Sequence, residues 1–263
     1  MCLDYEQFYT AAMSCHKEIK EKTSLQTKTV NKMQKCLDDG DVNALPRLFS
    51  ALRAATGERE RALSRLEQIV SEFDSKAYLS EGSFAAQLIA CCEQLGVDVT
   101  GQFPVFEMFP CRVTVNPESQ EITIDRKRTQ RLRPLALVSA VKSELERLSK
   151  AAFNAQVFAK ELAAAYDLML IKKAKNKPYD PSGACFLSDL YDLLTPMRRY
   201  KKDYAKNNYA YDLGRLYATE DLELEDRRRF RFDTVRGGKK AIRILDQHGV
   251  EQFITTVRLV KEG

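Results

Sequence analysis

The sequence predicts a mainly α protein of the α+β class, in which a helical bundle carries an inserted β-hairpin and a small antiparallel β element follows near the C-terminus. Long stretches repeat apolar residues at steps of three and four, which is typical of amphipathic helices in bundles. A β-rich run at about 103–125 is divided by a turn-forming segment, Asn116-Pro117-Glu118-Ser119. A second β-rich region closes the chain, and Asp246-Gln247-His248-Gly249 divides its last two strands.

The longest helical pattern, at about 135–172, is the element against which we expect the other helices to pack. Its apolar residues form one heptad row, and no Gly or Pro interrupts the run. Pro134 stands just ahead of it, where proline suits the first turn of a helix. We therefore expect one continuous long central helix. Its row consists of Val138, Val141, Leu145, Leu148, Ala152, Ala155, Ala159, Leu162, Tyr166 and Met169.

Shorter helical patterns precede it. The first covers about Asp4 to Leu37, with Gly40 as its C-terminal cap and Asp41 as the N-cap of the next helix. In that next helix Arg59 interrupts the apolar row. A charge there can set the register of a helix pair, but we favour a side chain that reaches water. A third helix is predicted from Ser80 to Leu95. The row of the second helix is Leu48, Leu52, Ala55, Arg59, Ala62, Leu66, Ile69 and Phe73.

The order of helical bundle, two-stranded ribbon and long helix resembles the broad layout of a winged-helix module. The resemblance concerns the order of the elements. It would place the basic segment 126–133, with five Lys or Arg among eight residues, where the ribbon meets the long helix. Side chains at such a junction can reach a groove or the backbone of DNA.

A lysine- and proline-rich segment at 173–183 predicts a linker between two domains. Residues 1–172 would form the helical domain with its hairpin, and 184–263 a basic α+β domain. Helices are expected from Phe186 to Leu194 and from about Met197 to Tyr217, with Thr195 as the N-cap of the latter and Pro196 at its first position. The predicted strands are Arg229 to Val235, Ala241 to Leu245 and Val250 to Val260.

The charges divide unevenly along the chain. Residues 1–125 contain 13 Lys and Arg against 19 Asp and Glu, and the remainder contains 29 against 18. A basic half of this kind suits a polyanion. Clusters occur at 126–133, 198–206 and 227–243, and tyrosines between the basic residues of the second could stack on bases. The acidic patch 220–226 could instead neutralise them. The residues that we predict to contact nucleic acid are Arg126, Lys127, Arg128, Arg131, Arg133, Arg198, Arg199, Lys201, Lys202, Arg228, Arg229, Arg231, Lys239 and Lys240.

No catalytic signature is visible. Cys91-Cys92 with His16 would supply a thiol and a base, but paired cysteines on an apolar helical face are more often packing residues. Gly237-Gly238-Lys239-Lys240 lacks the earlier glycine and the Ser or Thr of a phosphate-binding loop. His248 beside Asp246 is typical of a turn. The seven cysteines include no C-x-x-C pair. We therefore expect free thiols, no catalytic residues, no metal and no cofactor.

The chain contains no stretch near the ~20 apolar residues of a membrane span. Asp4 and Glu6 stand where a signal peptide would have a basic start, so we expect a cytoplasmic protein with no membrane partner.

Together these features favour a non-catalytic accessory subunit of a multi-protein nucleoprotein complex. It would contact DNA or RNA backbone through its basic surfaces and partner proteins through its heptad faces. By analogy, such a layout suits an adaptor beside a coiled-coil ATPase. The alternative is a protein–protein scaffold without nucleic-acid contact, whose basic face meets an acidic partner. A third hypothesis is an enzyme with a site that the sequence does not reveal.

Overall fold

A computed structural model of the chain describes residues 4–80, 82–125, 127–129, 131–176, 183–219, 222–236, 238, 240–246 and 250–261. It contains helices and two antiparallel sheets, so the α+β class is confirmed. The chain forms two compact units. The first consists of Met1–Met108 and Arg112–Ser139, and the second of Phe109–Cys111 and Ala140–Gly263. The chain passes between the units after Met108, after Cys111 and after Ser139. Of the predicted linker 173–183, residues 177–182 lie outside the described residues.

The first unit begins with an antiparallel pair of long helices, α1 (Tyr5–Asp39) and α2 (Leu45–Glu72). The Asp4 carboxylate accepts a hydrogen bond from the Glu6 N–H over 2.8 Å and so caps the start of α1. Gly40 ends α1 with a φ of 74°, a conformation that glycine adopts without strain. Asp41 then caps a 3-10 turn (Val42–Ala44) that leads into α2. The predicted cap Gly40 is confirmed, whereas Asp41 caps the 3-10 turn and Ala44 takes the N-cap position of α2.

Two shorter helices, α3 (Ser75–Ser80) and α4 (Ser83–Leu95), precede a five-stranded sheet in which successive strands are neighbours. The predicted hairpin is present as its third and fourth strands, with Val113 opposite Ile124. The prediction of only two strands was wrong, because the other three have three or four residues each, too few to show a period. The strands are β1 (Thr100–Gln102), β2 (Val105–Met108), β3 (Cys111–Asn116), β4 (Glu121–Ile124) and β5 (Lys127–Thr129).

The predicted continuous helix at 135–172 is wrong, since the structure contains α5 (Pro134–Lys150) and α6 (Ala155–Asn176) in its place. Asn154 begins α6: its side chain accepts from the Val157 N–H over 3.1 Å, as an N-cap does. The end of α5 is held by Arg215, whose guanidinium donates to the carbonyls of Leu148 (2.7 Å), Ser149 (3.0 Å) and Ala151 (3.1 Å). These bonds satisfy carbonyls that a continuing helix would have used.

The remaining elements of the second unit surround α6. The strand β9 pairs antiparallel with the other three strands of this sheet. The three predicted C-terminal strands and the helix near 186–194 are confirmed. The elements are β6 (Cys185–Phe186), α7 (Leu187–Leu194), α8 (Arg198–Asp203), α9 (Lys206–Tyr217), β7 (Arg228–Thr234), β8 (Ile242–Leu245) and β9 (Glu251–Lys261).

The predicted helix at 197–217 is wrong in its continuity, because Tyr204 and Ala205 separate α8 from α9. The Tyr191 hydroxyl donates to the Tyr204 carbonyl over 2.9 Å and fixes this break. Thr195 also differs from its predicted role as an N-cap. It ends α7, where its hydroxyl donates to the Tyr191 carbonyl over 2.6 Å, and Met197 takes the N-cap position of α8.

The core of the second unit confirms the buried face predicted for the C-terminal part of the central helix. Ala159, Leu162, Tyr166 and Met169 of α6 are buried against α7, α9 and the sheet. Gly214 allows α9 to lie close to β8, because a Cβ there would lie 2.9 Å from the Leu245 carbonyl oxygen.

None of the helices in the described part of the chain combines the length and hydropathy that a membrane span requires. The described cysteines form no disulfide, and Cys15, Cys92, Cys111 and Cys185 are buried.

Candidate interaction surfaces

The heptad row predicted for α2 faces α1. Ala55 and Ala62 of this row are buried, and their small side chains let the helices approach closely. Arg59 bonds across the pair: its Nη1 donates to Gln26 Oε1 over 3.1 Å, and Gln26 Nε2 donates to Thr56 Oγ1 over 2.9 Å. Arg59 Nη2 also pairs with Glu60 at 2.9 Å, and the side chain is 36% exposed, so Arg59 reaches water as predicted while it bonds to α1. Gln26, Thr56 and Arg59 form a polar layer within the helix pair.

A second apolar row lies beside this contact and is exposed. Each of its residues directly follows a residue that faces the other helix, as Val30 follows buried Thr29 and Leu63 follows buried Ala62. In an antiparallel pair, the positions next after the facing residues of both helices lie on the same side. The side chains are between 39% and 60% exposed. We call this set the outer row: Val30, Leu37, Phe49, Leu63 and Val70.

The opposite side of the helix pair is polar. Arg65 and Glu18 form an ion pair across it at 2.5 Å, and Lys22 pairs with Glu58. On that side, one large apolar side chain of α1, Leu25, is exposed. The α1–α2 pair therefore has one apolar flank and one charged flank. A helix pair with both flanks in solvent would be expected to have polar residues on both. An apolar flank is typical of a surface that packs against a further helix.

The first basic cluster is only partly accessible. Arg133 donates two hydrogen bonds of 2.8 Å to the Glu6 carboxylate, and its guanidinium carbon lies 3.6 Å from the centre of the Tyr9 ring. Arg128 pairs with Glu121 at 2.9 Å. Lys127 and Arg131 are exposed, and their side chains form no ion pair with any described residue. Arg126 lies outside the described residues.

The second cluster lies on α8 and is the most accessible of the three. Arg198, Arg199 and Lys202 share one face of this helix and are exposed. Within the described chain no carboxylate lies within ion-pair distance of these three. Lys201, on the same helix, pairs with Asp192 at 2.6 Å. This face is therefore a small area of uncompensated positive charge.

The third cluster is largely neutralised by the protein's own carboxylates. Arg228 forms a bidentate pair with Asp167 (2.6 and 2.8 Å) and also contacts Asp226, and these hydrogen bonds raise the pKa of the guanidinium. Arg229 pairs with Glu223 at 3.1 Å. The acidic patch 220–226 thus supplies partners for this cluster, as one of the two hypotheses expected.

Of the other residues of the third cluster, Lys240 lies 3.6 Å from Asp189 and 3.8 Å from the centre of the Phe186 ring. Arg231 is exposed on β7 and also has an interaction partner. Lys239 lies outside the described residues, as do the Gly237 and His248 positions that the sequence analysis considered.

An open apolar groove of about 970 Å³ lies in the second unit, between α6 and the segment that runs from the end of α7 into α8. The sequence analysis did not predict it, because a groove depends on how α6 and the α7–α8 segment lie together in the fold. Its apolar and aromatic residues are Ala152, Phe153, Val157, Phe158, Ala164, Ala165, Leu168, Leu193, Leu194, Pro196, Tyr200 and Tyr204.

Three carboxylates line the same groove: Glu161, Asp203 and Asp212. Burial raises the pKa of Asp212, although a hydrogen bond of 2.7 Å from the Tyr204 hydroxyl and the charge of Arg215 oppose the shift. Burial and the hydrogen bond to Asp212 raise the pKa of Tyr204. Glu161 and Asp203 form no hydrogen bond or ion pair with the described residues.

The described residues bring together no group of three or more His, Cys, Asp or Glu side chains that could hold a metal ion. Within the same part of the chain, no buried side-chain nitrogen or oxygen is without a hydrogen-bond partner. No protein-family model, curated protein or solved structure matches this chain.

Proposed function

We propose that the protein is a non-catalytic subunit of a multi-protein assembly, and that a helix of a partner protein packs along the outer row. The observation that carries this proposal is the row itself. Phe49, Leu63 and Val70 are spaced by multiples of seven residues, with polar Thr56 at the heptad position between the first two, and Val30 and Leu37 on the antiparallel helix are seven residues apart. A seven-residue period matches the a and d positions of another helix, so a helix is the occupant that this surface fits.

The dimensions set what the partner must supply. Phe49 and Val70 are 21 positions apart, or ~32 Å at the rise of an α-helix. Burial of the exposed half of five large apolar side chains contributes about 4–7 kcal/mol. Association itself costs a comparable amount. The outer row therefore gives a weak contact unless the partner also touches other surfaces, which is expected for a subunit held at several points.

The test is site-specific photocrosslinking in the host cell. A photoreactive phenylalanine at position 63 should crosslink to one defined partner, and the same residue at position 25, on the charged flank, should not. The captured protein is then produced in purified form, and its affinity is measured by calorimetry. We expect Leu63→Glu to weaken binding at least tenfold and the matched control Leu25→Glu to change it less than twofold.

Equal losses in Leu63→Glu and Leu25→Glu, with both variants folded by circular dichroism, would refute the proposal. The mass of the purified chain by light scattering provides a second check. If the outer row were covered by a second copy of this chain, the wild type would be a dimer and Leu63→Glu a monomer. That result would replace the partner protein with self-association.

Nucleic-acid contact through α8 is the second function that we propose. The observation in its favour is the exposed face of Arg198, Arg199 and Lys202, which has no carboxylate partner in the described chain. Phosphate backbones are bound by such uncompensated charge without a required sequence order. The same proposal includes contact of nucleic acid with Lys127 and Arg131 of the first unit, as the resemblance to a winged-helix module implies.

This second function predicts a strong dependence of affinity on salt. Fluorescence anisotropy with labelled duplex and single strands should show log K falling linearly with log salt concentration. The variant Arg198→Ala/Arg199→Ala/Lys202→Ala should lower that slope by about two to three. The matched control Lys17→Ala/Lys20→Ala/Lys28→Ala removes the same charge from α1 and should leave it unchanged. If both variants lowered the slope equally, nucleic acid would be attracted by the overall positive charge and not bound through α8.

A further inference from the structure

The groove of the second unit contains a heptad row of its own. On α6 the exposed residues Val157, Ala164 and Leu168 follow steps of seven and four, and Glu161 occupies the position between the first two. This row is distinct from the buried row of the same helix, which begins at Ala159 and faces the core. One side of α6 thus packs inside the unit, and another presents the pattern of a helix–helix contact to the groove.

The opposite wall gives the groove a defined chemistry. Tyr200 of α8 is exposed, and Leu194 and Pro196 of the α7–α8 connection continue the apolar surface. Asp203, one turn after Tyr200, places a carboxylate on this wall, while Glu161 places another on α6. An apolar surface with two unpaired carboxylates does not suit a purely apolar occupant, because covering them without a partner would cost several kcal/mol.

The third carboxylate is already satisfied within the unit. Asp212 accepts a hydrogen bond from the Tyr204 hydroxyl over 2.7 Å and lies 3.7 Å from Arg215. The cations of α8 form no ion pair with the other two: Lys201 pairs with Asp192, and Arg198, Arg199 and Lys202 lie within ion-pair distance of no described carboxylate. Glu161 and Asp203 are therefore the groups that an occupant must neutralise.

We propose that this groove binds an amphipathic helix of a partner protein, one that carries a Lys or Arg on its apolar face at the level of Glu161. Val157 and Leu168 are eleven residues apart, or ~17 Å, so about two heptads of the occupant lie in the groove. A charged residue in an apolar row sets the register and the choice of partner at some cost in stability. This site does not depend on the outer row and lies on a different unit of the chain.

The probes for the test are two stapled helical peptides of two heptads, each with Leu at the a and d positions and a fluorescent label. They differ at one central a position, which is Lys in one peptide and Glu in the other. Anisotropy is measured with the full chain at ~0.05 M salt, where screening of the pair is weak. We expect the Lys peptide to bind at least tenfold more tightly than the Glu peptide.

The charge-reversal variant Glu161→Lys should invert this preference, and the matched control Glu93→Lys, at an exposed position of α4, should not alter it. Leu168→Asp should weaken both peptides. Failure of the Lys peptide to bind, equal affinities of the two peptides, or an unchanged preference in Glu161→Lys would overturn the proposal. Should Glu161→Lys fold poorly, Glu161→Gln still has to reduce the preference. The variant Leu63→Glu should bind both peptides as the wild type does, which separates this result from the outcome at the outer row.

Discussion

Arg59 Nη1 donates a hydrogen bond to Gln26 Oε1 over 3.1 Å in the middle of the α1–α2 pair. Thr56 accepts from the other end of the same amide at 2.9 Å, so the Gln26 side chain is bonded on both sides. A shift of one helix by a heptad would place this amide against apolar residues. The polar layer therefore fixes which residues of α1 lie opposite which residues of α2, and with them the alignment of the outer row.

We predict that Gln26→Leu lowers the free energy of unfolding by about 1 kcal/mol, because Arg59 and Thr56 lose a partner. The double variant Gln26→Leu/Arg59→Leu should recover that loss, since an apolar replacement of both partners is often neutral or stabilising. Urea denaturation of the four proteins in a double-mutant cycle measures the coupling. A coupling energy indistinguishable from zero would show that the bond does not hold the helices together.

Arg133 was predicted to contact nucleic acid, but its two hydrogen bonds to Glu6 join it to the start of α1. We predict that Arg133→Ala lowers the stability of that helix end by about 1 kcal/mol. This value is at the lower end of the range for a bidentate charged pair, because the site is partly exposed. Hydrogen exchange of the amides at 5–9 should become faster. The control is Arg131→Ala, which removes an exposed side chain two residues away and should leave those exchange rates unchanged.

These cases show what the sequence could and could not predict. The long amphipathic helices and the caps at Gly40 and Asp41 follow from period and residue type, and both are local properties. The break between α5 and α6 at 151–154 depends on Arg215, which lies more than 60 residues away. Asn154, the N-cap of α6, was therefore the one local sign of this break in the sequence. Strands as short as β1 and β5 are formed by their neighbours in the sheet and show no period of their own.

The same division applies to the candidate surfaces. Clusters of Lys and Arg are visible in a sequence, whereas the pairing of Arg228 with Asp167, 61 positions apart, is not. The spacing of Phe49, Leu63 and Val70 was present in the sequence, but nothing there showed that the facing row beside it was already used by α1. The exposure of the outer row can be recognised only when the structure shows which faces of α1 and α2 contact each other.

The capping of α5 by Arg215 leads to a third prediction. Arg215→Lys retains the charge but lacks the planar fork that reaches the carbonyls of Leu148, Ser149 and Ala151. We expect the free energy of unfolding to fall by about 1–2 kcal/mol and hydrogen exchange at 148–154 to accelerate. Arg199→Lys makes the same change on exposed α8 and serves as the control. Unaltered exchange in Arg215→Lys would mean that the break between α5 and α6 does not need this side chain.

The last prediction concerns pH and Asp233 on β7. A hydrogen bond from the Thr256 hydroxyl, together with the guanidinium of Arg258 at 2.6 Å, holds the pKa of Asp233 below its ordinary value of 3.8. A carboxyl whose pKa is lower in the folded state contributes stability above its ordinary pKa, and that contribution disappears as the pH falls through the folded value. Asp233→Asn should therefore be less stable than the wild type at neutral pH, and the difference should shrink below about pH 4.

Urea denaturation of the two proteins between pH 7 and pH 3 measures this difference. If the Asp233→Asn difference stayed constant over this range, the bonds to Thr256 and Arg258 would not stabilise the charged carboxylate, and the pairing of β7 with β9 would depend on the backbone ladder and apolar contacts instead.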